Sequence, residues 1–447
     1  MSLVFFWLAS GWHVLLLLFS TSIDWRSGNS IYASDDDTVR KRWLMVSVVT
    51  NLSLLSLFKY LDFFIRTFNL AALKISNSPG LEELGLALPV GISFYTFQTM
   101  SYTIDIYRRK MAPYHSFIDF GCYASFFPQL VAGPIVRADD FRAQLDRKIS
   151  YNSVNIRIGL TLIIYGLFKK IVFADNLAVH ANHVFTEGEH LGNIGLIWWA
   201  SLCFGIQIYC DFSAYTNIAL GSARLLGISL PENFKTPYAA TSPQDFWRRW
   251  HISLSTWLRD YLYIPLGGSR HGQRVMLFAL MTTMILGGLW HGASWNFVIW
   301  GLVHGLLLVG HRFLSKLNLV EKLFINFKTG STIISWIITQ YLVFLTWLIF
   351  RIEDVEVLFE SMKTFVGIGG YFDFSEFMLF LPEIKLLTFA LAVIFIIGHG
   401  FSGRFGGFVY QLSKQRSIAW GLTVGLMISA MYFLQPAESV DFIYFRF

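Results

Sequence analysis

The feature that most constrains this chain is a series of long apolar windows, each close to the length needed to cross a bilayer. A hydrocarbon core calls for about 20 apolar residues per helix. Windows of that kind occupy 3–20, 42–60, 84–105, 117–136, 157–174, 194–226, 275–310, 332–350, 377–399 and 418–435. Two of them, 194–226 and 275–310, exceed one crossing, so each is expected to hold two helices or a broken re-entrant pair. The sum is about eleven or twelve membrane segments. The chain is apolar from Leu3 to Phe19, with no basic stretch before and no small-residue cleavage pattern after. This predicts a first membrane helix that is retained, not a signal peptide. No window shows the alternating pattern of an outer-membrane barrel. The fold class is therefore all-α, a polytopic integral membrane protein. Residues 1–447 show no internal repeat, low-complexity tract or linker, and are read as a single transmembrane domain.

Composition agrees. Hydrophobic residues make up 54% of the chain, aromatic residues 17% and charged residues 14%, against about 25% charged in a soluble domain. A soluble fold of this size has too little interior to hide so much apolar surface. Soluble enzymes, disordered chains and nucleic-acid binders are excluded as leading readings. Cys122, Cys203 and Cys210 lie in apolar stretches without metal-type spacing, which argues against a disulfide framework or a zinc site.

Loop charge suggests an orientation. Segment 107–117 carries Arg108, Arg109 and Lys110. Segment 235–274 carries Lys235, Arg248, Arg249, Arg259, Arg270 and Arg274 against Asp245 and Asp260. Both are expected in the cytoplasm. Segment 175–193 has Asp175, Glu187 and Glu189 and no Lys or Arg. Segment 353–376 is acidic, and both suit the outside. Lys169 and Lys170 disturb this scheme, and fit a protein-lined cavity or a different topology.

The segment 233–271 is too polar to span. Ser242 can cap a helix with Pro243 in its first turn and Asp245 near its positive end. Trp247, Trp250, Leu254, Trp257, Leu258 and Tyr261 then recur at roughly helical spacing. Such a mixture of Trp, Tyr and Arg predicts a helix lying at the membrane surface. Its plainest role is an amphipathic anchor. Its functional role is a basic, aromatic platform, in which Arg248, Arg249 and Arg259 meet phosphate oxygens and Trp250, Trp257 and Tyr263 offer ring faces.

A second feature is His291, inside the apolar stretch from Met281 to Gly305. Ionisable groups at membrane depth are costly and point to function. A neutral imidazole there can act as a base, although hydrogen bonding to a neighbouring helix is the bland alternative. Gly287, Gly288 and Gly292 permit close helix approach or a break. Trp290, Ser294, Trp295 and Asn296 are candidates to orient the ring or to donate to an oxyanion. His304 points to another face of a straight helix and is read as structural. His13, His180, His183 and His190 lie near ends or loops, and the 180/183 pair lacks a third ligand. The sequence has no phosphate-binding glycine loop and no nucleophile elbow. Asp211 and Asn217 fall in an apolar run, and a buried aspartate there needs a partner.

Two stretches, DFWRRWHISLSTWLRDYLYIPLGG (245–268) and GGLWHGASWNFVIWG (287–301), resemble the membrane-bound O-acyltransferase family, and within it the bacterial alginate O-acetyltransferase branch. LPVGISFYTFQTMSYTIDIYR (88–108), SFFPQLVAGPIVR (125–137), DFSAYTNIALGSARLLG (211–227) and FIYFRF (442–447) support it. The resemblance implies a helical fold with interfacial helices around a central tunnel. It implies that His291 is catalytic and that His251 is the family's second histidine. D-alanine-transferring relatives place a further histidine in a later span. The comparable stretch here, 338–350, has none, which argues against D-alanyl transfer.

The chemistry expected is acyl transfer to an alcohol, with His291 as base within about 3 Å of a hydroxyl and Trp290, Ser294 or Asn296 near the developing oxyanion. The donor is expected to be acetyl-CoA, with no bound cofactor and no metal. The expected setting is a bacterial inner membrane, and the expected acceptor is an exported polysaccharide such as alginate. Residues outside the membrane segments are too few for a separate glycan-binding domain. A periplasmic acetyltransferase partner is therefore expected to take the acetyl group onward. Transfer to peptidoglycan, a lipid or a small molecule is the alternative within the family. A transporter is the alternative outside it, although the inverted repeats common in transporters are missing.

Overall fold

The computed structural model describes residues 1–76, 80–147, 153–187, 191–316, 328–380, 386–402, 407–437 and 440–443. Glu189, His190, residues 381–385 of the 377–399 window and residues 444–447 of the terminal motif lie outside these.

The described chain is built of helices. No strand forms among the described residues, and an isolated parallel bridge pairs Asn193 with Tyr371. Among the described residues, seven helical stretches are long and apolar enough to cross a membrane: Ser2–Ala33, Asp37–Leu73, Ile194–Leu225, Gly272–His291, Trp295–Lys316, Gly330–Arg351 and Ser417–Leu434. A shorter apolar helix covers Leu386–Gly400. The protein is thus an all-α, multi-pass membrane protein. The chain divides into two compact units. One comprises Met1–Tyr151, Ala223–Pro231 and Gly292–Ser294; the other comprises Asn152–Ser222, Glu232–His291 and Trp295–Phe447.

In the first unit, helices Val14–Ala33, Asp37–Leu55 and Ile92–Tyr107 close on a polar knot. Asp24, fully buried, accepts from Ser47 Oγ at 2.6 Å and from Asn51 Nδ2 at 2.8 Å. The hydroxyls of Ser47 and Thr103 lie 2.9 Å apart. Hydrogen bonds from neutral donors offset part of the cost of a buried carboxylate.

Window 117–136 is not one span. It forms the short helices Phe117–Ala124 and Phe127–Leu130 followed by irregular chain. Pro128, Gly133 and Pro134 interrupt it. Side chains satisfy the freed backbone: Gln98 and Gln129 each donate to the Tyr123 carbonyl at 2.9 Å, and the Tyr123 hydroxyl donates to the Val136 carbonyl at 2.9 Å. Gly91, with φ 71°, lies so close to the Leu130 carbonyl that a Cβ has no room.

In the second unit, 194–226 departs from expectation in the other direction. It is one unbroken helix, Ile194–Leu225. Its polar residues do not break it because they find partners inside the protein. Asp211 receives the ammonium of Lys170 at 2.8 Å, and Lys170 also reaches Asp175 at 2.8 Å. Lys169 donates to Ser213 Oγ at 2.7 Å. Lys169 and Lys170 therefore occupy a protein-lined interior. They sit on a π-helical turn, Lys169–Ala174, that joins Ser153–Phe168 to Asp175–Glu187. Residues 440–443 complete the cluster: Lys170 donates to the Val440 carbonyl at 2.6 Å and the Ile443 amide donates to Asp211 at 2.5 Å.

Window 275–310 holds two helices, as its length predicts: Gly272–His291 and Trp295–Lys316. The break between them falls at residues 292–294, directly after His291.

Candidate active site

The site is assembled from the hairpin of these two helices and the polar segment between spans. The hairpin is close because glycines face each other. A Cβ on Gly288 would fall on the Phe297 carbonyl and within 3.0 Å of the Gly301 Cα. Small residues of this kind let helix backbones touch. His291 ends the first helix with 3% of its surface exposed. Its ring packs edge-on against Trp300 and Trp290, both at 5.1 Å between centroids, and Phe350 at 5.4 Å.

The segment expected as one surface helix is instead two short helices, Pro243–Arg249 and Ile252–Leu258, and a π turn, Arg259–Tyr263. Ser242 caps the first as its sequence predicts, accepting from the Asp245 amide at 3.1 Å. The break is at Trp250 and His251. His251 has left-handed backbone, φ 42° and ψ 56°, which a residue with a Cβ adopts at a cost. Asn233 holds this conformation. Its carbonyl accepts from the Ile252 amide at 2.9 Å, and its Oδ1 accepts from the Ser253 hydroxyl at 2.8 Å.

The kink turns His251 inward. It is fully buried, 4.7 Å from the Phe212 ring, 5.7 Å from Trp290 and 6.3 Å from His291. Burial pushes its imidazole down to about 3, so the ring is neutral at physiological pH. The structure thus brings His251, Trp290 and His291 together.

The other residues singled out from sequence are more dispersed. Asn296 donates its amide to the Ile352 carbonyl, which ties the second hairpin helix to the end of Lys328–Arg351. Ser294 is half-buried in the three-residue break. Trp250 and Trp257 do not form an outward platform. They are 1% and 5% exposed, and Trp250 packs on Phe246 and Trp347 at 5.6 and 4.9 Å. Tyr263 is half-buried and Arg248 is exposed. Arg249 pairs with Asp245 at 2.8 Å, and Arg259 with Asp260 at 2.7 Å.

Sequence reasoning missed the aromatic walls. Trp300, Phe350 and Phe212 enclose the histidines, and nothing in their spacing sets them apart from ordinary core. It also missed His399, whose Nε2 accepts from the Tyr238 amide at 3.1 Å. His304 is buried beside Trp300 at 4.5 Å and Trp247 at 5.2 Å, with no hydrogen-bond partner for its ring among the described residues. His180 Nε2 lies 3.0 Å from Thr388 Oγ1. No group of three or more metal-ligating side chains occurs among the described residues.

The model of the MBOAT, membrane-bound O-acyltransferase family matches residues 107–352, a stretch that contains both His251 and His291. A peptidoglycan O-acetyltransferase of Helicobacter pylori is 35% identical, over 93% of this chain and 84% of its own length. A probable alginate O-acetylase of Pseudomonas aeruginosa is 39% identical, over 79% of this chain and 67% of its own. A probable alginate O-acetylase of Pseudomonas syringae is 40% identical, over 76% of this chain and 62% of its own. The chain belongs to the membrane-bound O-acyltransferase family and is an O-acyltransferase.

Proposed function

We propose that this protein takes an acetyl group from a cytoplasmic thioester, acetyl-CoA, and passes it across a bacterial inner membrane for O-acetylation of an exported glycan. The observation that carries this reading is the pair of buried histidines, His251 and His291, 6.3 Å apart in the family's matched region. In the proposed step a ring nitrogen of His291 takes the proton from an acceptor hydroxyl. The hydroxyl oxygen attacks the thioester carbonyl, the C–S bond breaks, and the thiol leaves with that proton. His251, neutral and enclosed, orients the donor or His291. Trp290 stands beside both rings and is the candidate donor to the oxyanion. Exposed Arg248 is the first contact for donor phosphates, because Arg249 and Arg259 already have carboxylate partners.

Alginate is the glycan named for the two Pseudomonas relatives. The peptidoglycan-modifying relative is matched over more of the chain, and it supports peptidoglycan as the second reading. In either case we propose a relay, in which the group reaches the glycan through a separate periplasmic acetyltransferase. The test is reconstitution in sealed vesicles, with labelled acetyl-CoA on the face bearing residues 235–274 and alginate or peptidoglycan on the other. Labelled glycan is expected with a partner acetyltransferase present. Full glycan acetylation by this protein alone would overturn the relay. No thioester turnover under either condition would overturn the donor assignment.

A further inference from the structure

A cavity of about 450 Å³ lies within the second unit, apart from the histidine pair. Its walls are apolar, with Leu202, Ile206, Phe344 and Phe395 among them. Its volume falls in the range of about 300–1,000 Å³ typical of small-molecule sites. Ile333, Trp336 and Ile396 also line it, and they are 51%, 41% and 49% exposed. Ile333 and Trp336 project from the membrane-length helix Gly330–Arg351, and Ile396 from the shorter apolar helix Leu386–Gly400. On such helices an exposed apolar side chain faces lipid, so the cavity opens sideways into the bilayer.

The far wall is polar and ordered. The turn Pro237–Ala239 runs there without a continuing helix, and buried backbone of that kind must be satisfied by protein. His399 accepts from the Tyr238 amide, Trp336 Nε1 donates to the Tyr238 carbonyl at 2.8 Å, and Gln340 Nε2 donates to the Ala240 carbonyl at 2.8 Å. These bonds keep the turn from collapsing into the space. Gln340, 8% exposed, leaves its Oε1 without a hydrogen-bond partner among the described residues.

We propose that this cavity is a lipid site, in which an acyl chain of a membrane phospholipid enters between the two helices and lies along the apolar wall. The bilayer presents such chains directly at the mouth, and the apolar lining matches their chemistry. The bound chain would bear on the turn that leads to the catalytic segment. The Tyr238 ring lies 6.4 Å from Trp250, the residue before His251.

The test uses the full-length protein in vesicles of phosphatidylethanolamine and phosphatidylglycerol, with a trace of phosphatidylethanolamine carrying a diazirine in its acyl chain. After illumination and digestion, label is expected in peptides covering 332–344 and 395–400. Leu202→Trp, which fills the cavity from within, is expected to abolish that label. Ile337→Trp, on the same lipid-facing helix but outside the cavity, is expected to leave it. Excess unlabelled phosphatidylethanolamine is expected to displace the label saturably, a readout that does not depend on any variant folding. Label spread evenly over exposed helices, label unchanged in a folded Leu202→Trp, or displacement that never saturates would each overturn the proposal. So would the absence of label, the result if another part of this chain fills the space.

Discussion

The ring of His251 lies 6.3 Å from that of His291, although one sits on a kinked segment between spans and the other ends a membrane helix. The pairing depends on two backbone events, the left-handed conformation of His251 and the glycine contact of the hairpin. The histidine pair and its surroundings give predictions about what the site tolerates.

His291→Ala is expected to abolish acyl transfer in a protein that still inserts and folds. Loss of a general base typically costs about 10²–10⁴ in rate. Turnover of labelled acetyl-CoA, with thermal unfolding in detergent as the fold control, is the measurement. Near-normal turnover by the folded variant would remove His291 from the chemistry.

His251→Asn is expected to retain more stability than His251→Val. Asn accepts left-handed backbone readily, whereas a β-branched residue there is an outlier that costs about 1–3 kcal/mol. The depressed value of His251 adds a pH signature. The folded state keeps the ring neutral down to about 3, while the unfolded state takes a proton near 6.5. Stability from this group is therefore present above 6.5 and declines as pH falls towards 3. Unfolding across that window is expected to be less pH-dependent in His251→Asn than in the parent, and an unchanged slope would contradict this.

Lys170→Met is expected to destabilise by about 3–5 kcal/mol, because it strands buried carboxylates. The side chains of Lys170, Asp175 and Asp211 are 10%, 6% and 2% exposed. Replacing both aspartates by Asn in the Lys170→Met background is expected to recover much of the loss. Equal thermal unfolding of the single and triple variants would show that charge balance is not the cause.

Arg248→Ala is expected to raise the Km for acetyl-CoA while leaving kcat nearly unchanged, as contacts remote from the reacting carbonyl bind ground and transition states alike. Arg249→Ala is expected also to lower thermal stability, since it breaks the bond to Asp245 across one helical turn. A fall in kcat with constant Km for Arg248→Ala would place that residue in the reacting geometry.

Much of this architecture was legible in the sequence. Apolar run length located most of the spans, Ser242 and Pro243 marked a helix start, and the cost of an ionisable group in a membrane singled out His291. The failures share a cause. Run length and periodicity report what is apolar, not what is satisfied. Residues 194–226 are read as two helices because they exceed one crossing, and nothing in the run shows that Asp211 is satisfied by Lys170, which is distant in sequence. Window 117–136 looks continuous because Gln98 and Gln129 replace the hydrogen bonds a helix would have made. Trp250 and Trp257 have the composition of a surface helix, but the left-handed turn at His251, set by Asn233, redirects them inward. No periodicity encodes that turn.

The cluster around Lys170 also has a consequence for how the chain is made. Membrane segments leave the ribosome in order, and an unpaired ammonium is a poor passenger in lipid. Asp175 lies on the next turn of the same stretch, so its charge balance is available as soon as that stretch emerges. Asp211 joins with a later helix. The carbonyl of Val440 and the amide of Ile443 reach the cluster only once the spans between Asp211 and residue 440 have emerged. The lysine is thus neutralised early and gains its backbone partners well afterwards. A chain arrested before residue 440 would present this ion cluster with two of its backbone contacts still missing.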